Sequence, residues 1–292
     1  LSPKTAPTNF FEHPFPKELP VKVLYFGDIV GRSGRDALAA HAPSLRERLG
    51  ADFMVVNGEN AAGGFGITKK ICTQFFDLGV DAITTGNHVW DQKETLVHID
   101  SEPRLLRPNN FPKGTPGRGA HVYTTQNGGR AMVIQVMGRV FMDPLDDPFA
   151  SVDSALTNVR LGTGADFIMV DIHAEATSEK MAMGHFADGR ASMVVGTHSH
   201  IPTADAQILP GGTAYQSDLG MTGDYNSVIG MVPDEPLNRF RRKIKKNRFS
   251  PAEGEATLCG VFVETDDATG LAVTIEPVRM GGRLKPTQIG SK

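Results

Sequence analysis

Short apolar runs alternate with longer helical patterns through the first third of the chain. Residues 21–26, 52–56 and 82–85 are strand-length runs rich in β-branched and aromatic side chains. Between them, residues 35–49 read as a helix stopped by Gly50. Residues 68–78 read as a second helix, with Thr68 as N-cap and Gly79 as its stop. Gly31-Arg32-Ser33-Gly34 turns the chain after the first run. Residues 57–66 hold four glycines and form a loop too long for a tight turn. Strand alternating with helix at this spacing predicts βαβ units and a mainly parallel sheet.

The pattern then changes. Residues 104–119 are rich in Pro and Gly and read as a long loop. Residues 120–125 and 131–137 flank Gln126-Asn127-Gly128-Gly129 and predict an antiparallel hairpin. Helices are expected over 151–161 and 178–186, apolar strands over 166–172 and 192–195, and a small hairpin over 206–215. A basic helix is expected over 235–246. Residues 258–263 and 271–278, joined by 266–270, read as a late hairpin. With no internal repeat and no linker, residues 21–292 read as a single domain, a layered α/β sandwich with antiparallel additions. Residues 1–20 carry five prolines and three phenylalanines and read as an irregular N-terminal arm. They lack the basic start and apolar core of a signal peptide. An aromatic arm at residues 10–15 would pack readily on a neighbour, so a homo-oligomer is a candidate assembly.

Composition narrows the class. The chain has 292 residues, 40% hydrophobic and 22% charged, within the ordinary globular range. A formal net charge of −3 argues against wholesale coating of nucleic acid. Two cysteines, Cys72 and Cys259, suit a cytoplasmic protein and exclude a disulfide framework. No run of about 18 apolar residues predicts a membrane span.

The candidate chemistry lies where strands end. Asp28 follows the first strand, Glu59 and Asn60 the second, Asn87 and His88 the third. His173, His198 and His200 follow two later strands. In open α/β sheets ligands bind beyond the carboxyl ends of strands, where all eight would gather. One such residue alone reads as a cap or a hydrogen-bonded core group. Eight on five strand ends read as the inventory of a two-metal hydrolytic site. Imidazole suits iron, manganese or zinc, and a shared carboxylate offsets repulsion between two cations. His88 directly follows a candidate ligand and can face a leaving oxygen as proton donor. Asp91 reads either as the group orienting that ring or as a helix-start cap.

The strings Gly27-Asp28-Ile29-Val30-Gly31, Asn57-Gly58-Glu59-Asn60-Ala61, Gly86-Asn87-His88-Val89-Trp90-Asp91, Asp171-Ile172-His173-Ala174-Glu175, Gly196-Thr197-His198-Ser199-His200 and Asp218-Leu219-Gly220-Met221-Thr222-Gly223 carry a resemblance. The chain resembles the calcineurin-like metallophosphoesterases, in their bacterial YmdB-like phosphodiesterase branch, over about residues 21–280. Val30 stands where the wider superfamily has a histidine, and Glu59 replaces its bridging aspartate; both departures fit the branch. The resemblance implies a layered α/β/β/α sandwich with mixed sheets and two divalent transition-metal ions, iron or manganese first and zinc after. Asp28, Glu59, Asn60 and His200 would hold one metal. Glu59, Asn87, His173 and His198 would hold the other. His88 would be the general acid. The activity implied is hydrolysis of phosphodiesters, including 2′,3′-cyclic and 3′,5′-cyclic AMP, by a metal-bridging hydroxide.

Rival readings stay open from the residues alone. Arg239 to Arg248 is a dense basic run with Phe240 and Phe249 beside it. It reads either as a solvated face or as an RNA contact, which would make the protein an RNA-associated regulator with a secondary metal site. A phosphomonoesterase or protein phosphatase would use the same metals. Gly220–Gly223 reads either as backbone donors to a phosphate or as a turn beside the site. Trp90 and Tyr215 read as packing residues or as platforms for a base.

Overall fold

A computed structural model describes residues 20–290. The strands are β1 (Lys22–Phe26), β2 (Phe53–Asn57), β3 (Ala82–Thr84), β4 (Ala120–Thr124), β5 (Arg130–Met137), β6 (Phe167–His173), β7 (Met193–Thr197), β8 (Gln207–Ile208), β9 (Ala214–Gln216), β10 (Leu258–Thr265) and β11 (Ala272–Met280). The helices are α1 (Gly31–Leu49), α2 (Lys69–Asp77), α3 (Thr95–His98), α4 (Pro148–Asn158), α5 (Thr177–Ala187) and α6 (Asp234–Arg242).

Two mixed sheets form, ordered β11-β10-β1-β2-β3 and β4-β5-β6-β7-β9-β8. In each, the central strands are parallel and the hairpins add antiparallel edges. Alternating side chains sort the strands into layers. Val23, Tyr25, Phe53 and Val55 meet Val133, Phe167, Met169 and Val195 between the sheets. Leu24, Phe26, Met54 and Val56 face the other way, onto Leu38 and Leu45 of α1 and Phe75 of α2. Ile134, Ile168 and Val170 turn outward onto Leu156 of α4 and Met183 of α5. The layering is α/β/β/α, as expected. Each fully buried Phe or Leu in these layers contributes roughly 1.5–3 kcal/mol.

Most element boundaries follow local signals. Thr68 caps α2, its side chain accepting from the Ile71 amide, and Gly50 closes α1 in the left-handed conformation at φ 61°. Helix α1 starts at Gly31, four residues before its expected start, because the Gly31–Gly34 turn winds into its first turn. The Gly34 amide donates to the Val30 carbonyl at 3.1 Å. Helix α4 begins at Pro148 because Asp147 caps it, accepting from the Phe149 amide at 2.8 Å. Helix α6 is shorter than the expected 235–246, ending at Lys243 with φ 58°. The expected arm over 1–20 lies, apart from Pro20, outside the described residues, as does the aromatic contact proposed for residues 10–15.

Candidate metal centre

Strands β1, β2, β3, β6 and β7 all run to the same edge of the sandwich, and the loops that follow them converge there. Asp28, Glu59, Asn60, His173 and His200 are all at most 5% exposed. Asn87, His88 and His198 are half-buried at the rim. Two groups of ligand-type atoms form, Asp28 with Glu59 and His200, and Glu59 with His173 and His198. Within each group the atoms lie within 4.8 Å of one another. Glu59 belongs to both.

Specific contacts fix the rings and carboxylates. His173 Nε2 stands 3.2 Å from Glu59 Oε1 and 3.0 Å from Asn87 Oδ1. His198 turns Nδ1 to within 3.2 Å of His173 Nε2, and its Nε2 lies 3.2 Å from Glu175 Oε2. The His200 Nδ1–H donates to the Ile229 carbonyl at 2.9 Å, which leaves Nε2 for the cluster. Glu59 Oε2 accepts from the His88 amide at 3.2 Å. Gly86 is required here, since a Cβ would collide with Glu59 Oε2 and His173 Nε2. His88 stays outside both groups. Its Nδ1 lies 2.8 Å from Asp91 Oδ2, and Phe65 packs edge-on at 5.1 Å between centroids. Asp91 is therefore the orienting partner, and the cap reading for it falls away.

Two buried oxygens in this cluster, Asp28 Oδ1 and Asn60 Oδ1, accept no hydrogen bond. The opposite atoms of both side chains are engaged. Asp28 Oδ2 accepts from the His198 amide at 3.2 Å, and Asn60 Nδ2 donates to the Gly64 carbonyl at 3.0 Å. Leaving a buried acceptor unsatisfied costs about 1–3 kcal/mol, so oxygens held this way fit a cation.

The electrostatics agree with that fit. Burial pushes the Asp28 carboxyl up to about 6, against the pull of His200 and His173. Burial acts the same way on Glu59, but His173, with His88 and His198, outweighs it and holds the carboxyl down at about 2. Burial opposes a charge on His173, yet Glu59, Asp28 and Asp171 hold its pKa up at about 9. Burial and His173 together push His198 down to about 3. The carboxylates thus draw one proton onto a buried imidazole, the place where a divalent cation would compete.

Sequence reasoning missed the groups behind these donors. Thr197 Oγ1–H donates to Asp171 Oδ1 at 2.8 Å and lies 2.8 Å from His173 Nδ1. With its single hydrogen spent on Asp171, the hydroxyl accepts from His173 Nδ1–H and points Nε2 at the cluster. Asp171 also accepts from Tyr25 Oη–H at 2.6 Å and Gln135 Nε2–H at 2.9 Å, a buried polar link between the two sheets. Asp218 Oδ2 accepts from Lys180 Nζ at 2.6 Å, Ser199 Oγ at 2.7 Å and the Ser199 amide at 3.1 Å. It anchors the turn where His198 and His200 adopt φ of 95° and 66°. Asp171, Thr197, Ser199 and Asp218 stand inside the strings that carry the family resemblance, and Tyr25 and Gln135 are polar groups on otherwise apolar strands, but none of these signals showed what the side chains hold. The amides of Gly220–Gly223 go to Asp218, His200, Asp28 and Thr257. That stretch is the turn that holds the ligand loops, not a set of phosphate donors. Tyr215 is 2% exposed and Trp90 packs on Phe111, so both are packing residues.

The family described as YmdB-like protein matches residues 24–278. A 2′,3′-cyclic-nucleotide 2′-phosphodiesterase of Bacillus subtilis is 48% identical over 258 residues, 88% of this chain and 96% of that protein. A hypothetical protein from Thermus thermophilus, known from a crystal structure, superposes with a TM-score of 0.84 at 42% identity, over 90% of this chain and 100% of that one. The crystal structure of a novel phosphatase from Mycoplasma pneumoniae gives 0.83 at 32% identity, over 90% and 94%. This chain belongs to the YmdB-like family, the branch of the calcineurin-like metallophosphoesterases that its strand-end strings resemble.

Proposed function

We propose that residues 21–292 form one catalytic domain, a cytoplasmic phosphodiesterase acting on 2′,3′-cyclic nucleotides with two divalent transition-metal ions. Asp28 Oδ1 and Asn60 Oδ1, buried and without a hydrogen bond, carry this reading, set among candidate ligand groups that share Glu59. Asp28, Glu59, Asn60 and His200 would hold one ion, and Glu59, Asn87, His173 and His198 the other. Carboxylate, carboxamide and imidazole together suit iron or manganese first, with zinc after. When bound, the ions polarise a phosphoryl oxygen and lower the pKa of water. The activity of the Bacillus subtilis relative supports the substrate class. Two free, buried thiols support the compartment, and no described helix is long and apolar enough to cross a membrane.

The chain's own part is to position and to move a proton. Asp91 accepts from His88 Nδ1–H, which leaves Nε2 for the leaving oxygen. During hydrolysis a water gives its hydroxyl to phosphorus as the P–O2′ bond breaks, O2′ takes the proton from His88 Nε2, and the proton that the water loses restores His88. The product ends in a 3′-phosphate. Lys180, the buried lysine beside the site, is consumed by Asp218. It adds no free cation for a dianionic monoester, which favours diesters over a phosphomonoesterase or protein phosphatase.

Elemental analysis of the purified protein, with hydrolysis of 2′,3′-cyclic AMP, 3′,5′-cyclic AMP and a chromogenic diester, tests the proposal. About two transition-metal ions per chain are expected, with turnover abolished in Asp28→Asn. Asn87→Ala should lower metal content and activity together. A protein that stays inert with added Mn²⁺ or Fe²⁺ would sink the reading. Thr197→Val removes the acceptor of His173 Nδ1–H while keeping the side-chain shape. It should weaken metal binding about 10–100-fold, read by titration with a competing chelator. Thr197→Ser should restore it.

A further inference from the structure

Residues 228–252 form a folded protrusion rooted in the metal centre. The Ile229 carbonyl accepts from His200 Nδ1–H at 2.9 Å. Met231 bridges to Val228 and Pro251, and the Val232 amide donates to Ser250 at 2.9 Å. Met231 also packs over Gly64, whose carbonyl holds the Asn60 side chain. The root of the protrusion therefore touches the loops of two candidate ligands.

Beyond the root, the chain is fixed around Glu235, only 7% exposed. Its carboxylate accepts from Arg239 Nε at 2.7 Å and from the amides of Lys246 and Asn247, each at 3.1 Å. Arg239 lies 3.7 Å over the Phe249 ring and donates to the Asn247 carbonyl at 2.8 Å. Asn238 Nδ2 donates to the Ile244 carbonyl at 2.8 Å. These contacts end α6 early and consume one cation. Arg241, Arg242, Lys243, Lys245, Lys246 and Arg248 are left exposed, and none has an ion pair among the described residues. Six like charges between residues 241 and 248 repel each other, and a fold of net charge −3 gains nothing from gathering them. Phe240 and Ile244, 74% and 60% exposed, stand among them.

We infer that this protrusion docks single-stranded RNA whose 3′ end carries a 2′,3′-cyclic phosphate, the end entering the metal centre. The inference rests on the phosphodiesterase reading of that centre. The cations follow backbone phosphates, and Phe240 offers a ring for a base to stack on. The cyclic ester needs a 2′ oxygen, which selects RNA over DNA. Hydrolysis adds water across P–O2′, with hydroxyl to phosphorus and hydrogen to O2′, and leaves an RNA 3′-phosphate. An anionic membrane would engage the same cations, but it would not explain why they are rooted in the loops of a phosphodiester site.

The test compares the full chain with its variant Arg241→Glu/Arg242→Glu/Lys245→Glu/Lys246→Glu. Fluorescence anisotropy follows a labelled oligoribonucleotide of about 10 nucleotides ending in 3′-phosphate, a length near one single-strand binding site. Initial rates are taken on the same oligonucleotide ending in 2′,3′-cyclic phosphate and on 2′,3′-cyclic AMP. Sedimentation with phosphatidylserine vesicles runs alongside. In the variant, the dependence of log K on log salt should flatten by about 3, at ~0.7 per lost phosphate contact. Oligonucleotide hydrolysis should fall roughly tenfold or more, with cyclic AMP hydrolysis unchanged. Hydrolysis of cyclic AMP with equal oligonucleotide binding by both proteins would overturn the docking inference alone. Vesicle binding without oligonucleotide binding would do the same in favour of a membrane. Oligonucleotide binding with neither substrate hydrolysed would overturn the phosphodiesterase reading, and this inference with it.

Discussion

Replacing His88 by alanine should lower turnover of 2′,3′-cyclic AMP by about 10²–10⁴-fold, the usual worth of a positioned general acid, while the protein keeps its metals. The geometry separates these two outcomes. His88 lies in neither ligand group, and its ring is held by Asp91 at 2.8 Å and by the edge of Phe65. Its contact with the shared carboxylate runs through the backbone amide to Glu59 Oε2, and alanine retains that amide. The variant should therefore keep its metal content and KM and lose kcat. The loss should shrink for a p-nitrophenyl diester, whose leaving oxygen departs without a proton. Asp91→Asn should give a smaller fall, on the order of 10–100-fold, because the ring loses its orienting charge but keeps its proton. A His88→Ala protein purified without metal would show that the imidazole is a ligand, and the proton-donor role would have to be abandoned.

Lys180→Met should cost about 3–5 kcal/mol of stability, the usual penalty for stranding one member of a buried ion pair. Side-chain exposures of 3% for Lys180 and 1% for Asp218 place both charges out of water. Methionine keeps much of the apolar stem, so the loss comes from the unpaired Asp218 charge. Asp218 also holds Ser199 by side chain and amide, between His198 and His200 in left-handed backbone. Such conformations cost of order 1–3 kcal/mol each and persist only when neighbours enforce them. Loosening that anchor should lower metal affinity as well. The thermal midpoint should fall by on the order of 10 °C, measured with metals removed so that binding does not mask the change. Lys180→Met/Asp218→Asn should recover part of the loss, since the carboxamide needs no counter-charge. A single variant within about 0.5 kcal/mol of the parent, the range of neutral surface substitutions, would mean that the pair anchors nothing.

Local chemistry wrote much of this molecule into its sequence. Strands β1, β2, β3, β6 and β7 appear where apolar runs of strand length occur, and α2 starts at Thr68 because a hydroxyl there takes the Ile71 amide. The candidate ligands were legible for the same reason. Asp28, Glu59, Asn60, Asn87, His173, His198 and His200 each stand within a few residues of a strand end, so the strand itself delivers them to one edge. What stayed hidden depends on side-chain and backbone pairings that hydrophobic periodicity does not encode. Helix α6 has a helical composition through Lys246, yet it stops at Arg242 because Glu235 takes the amides of Lys246 and Asn247. Gly220–Gly223 reads from sequence either as phosphate donors or as a turn, and the turn holds because its amides are claimed by Asp28, His200, Asp218 and Thr257. Tyr25 meets Asp171 across 146 residues of sequence, and Lys180 meets Asp218 across 38. By itself, then, the sequence determined most of the elements and which candidate ligands stand at strand ends, since periodicity and capping act between near neighbours. Only the tertiary structure decided which buried oxygens accept no hydrogen bond, which loop amides are already claimed and which charges are free, because those depend on pairings beyond the reach of any local pattern.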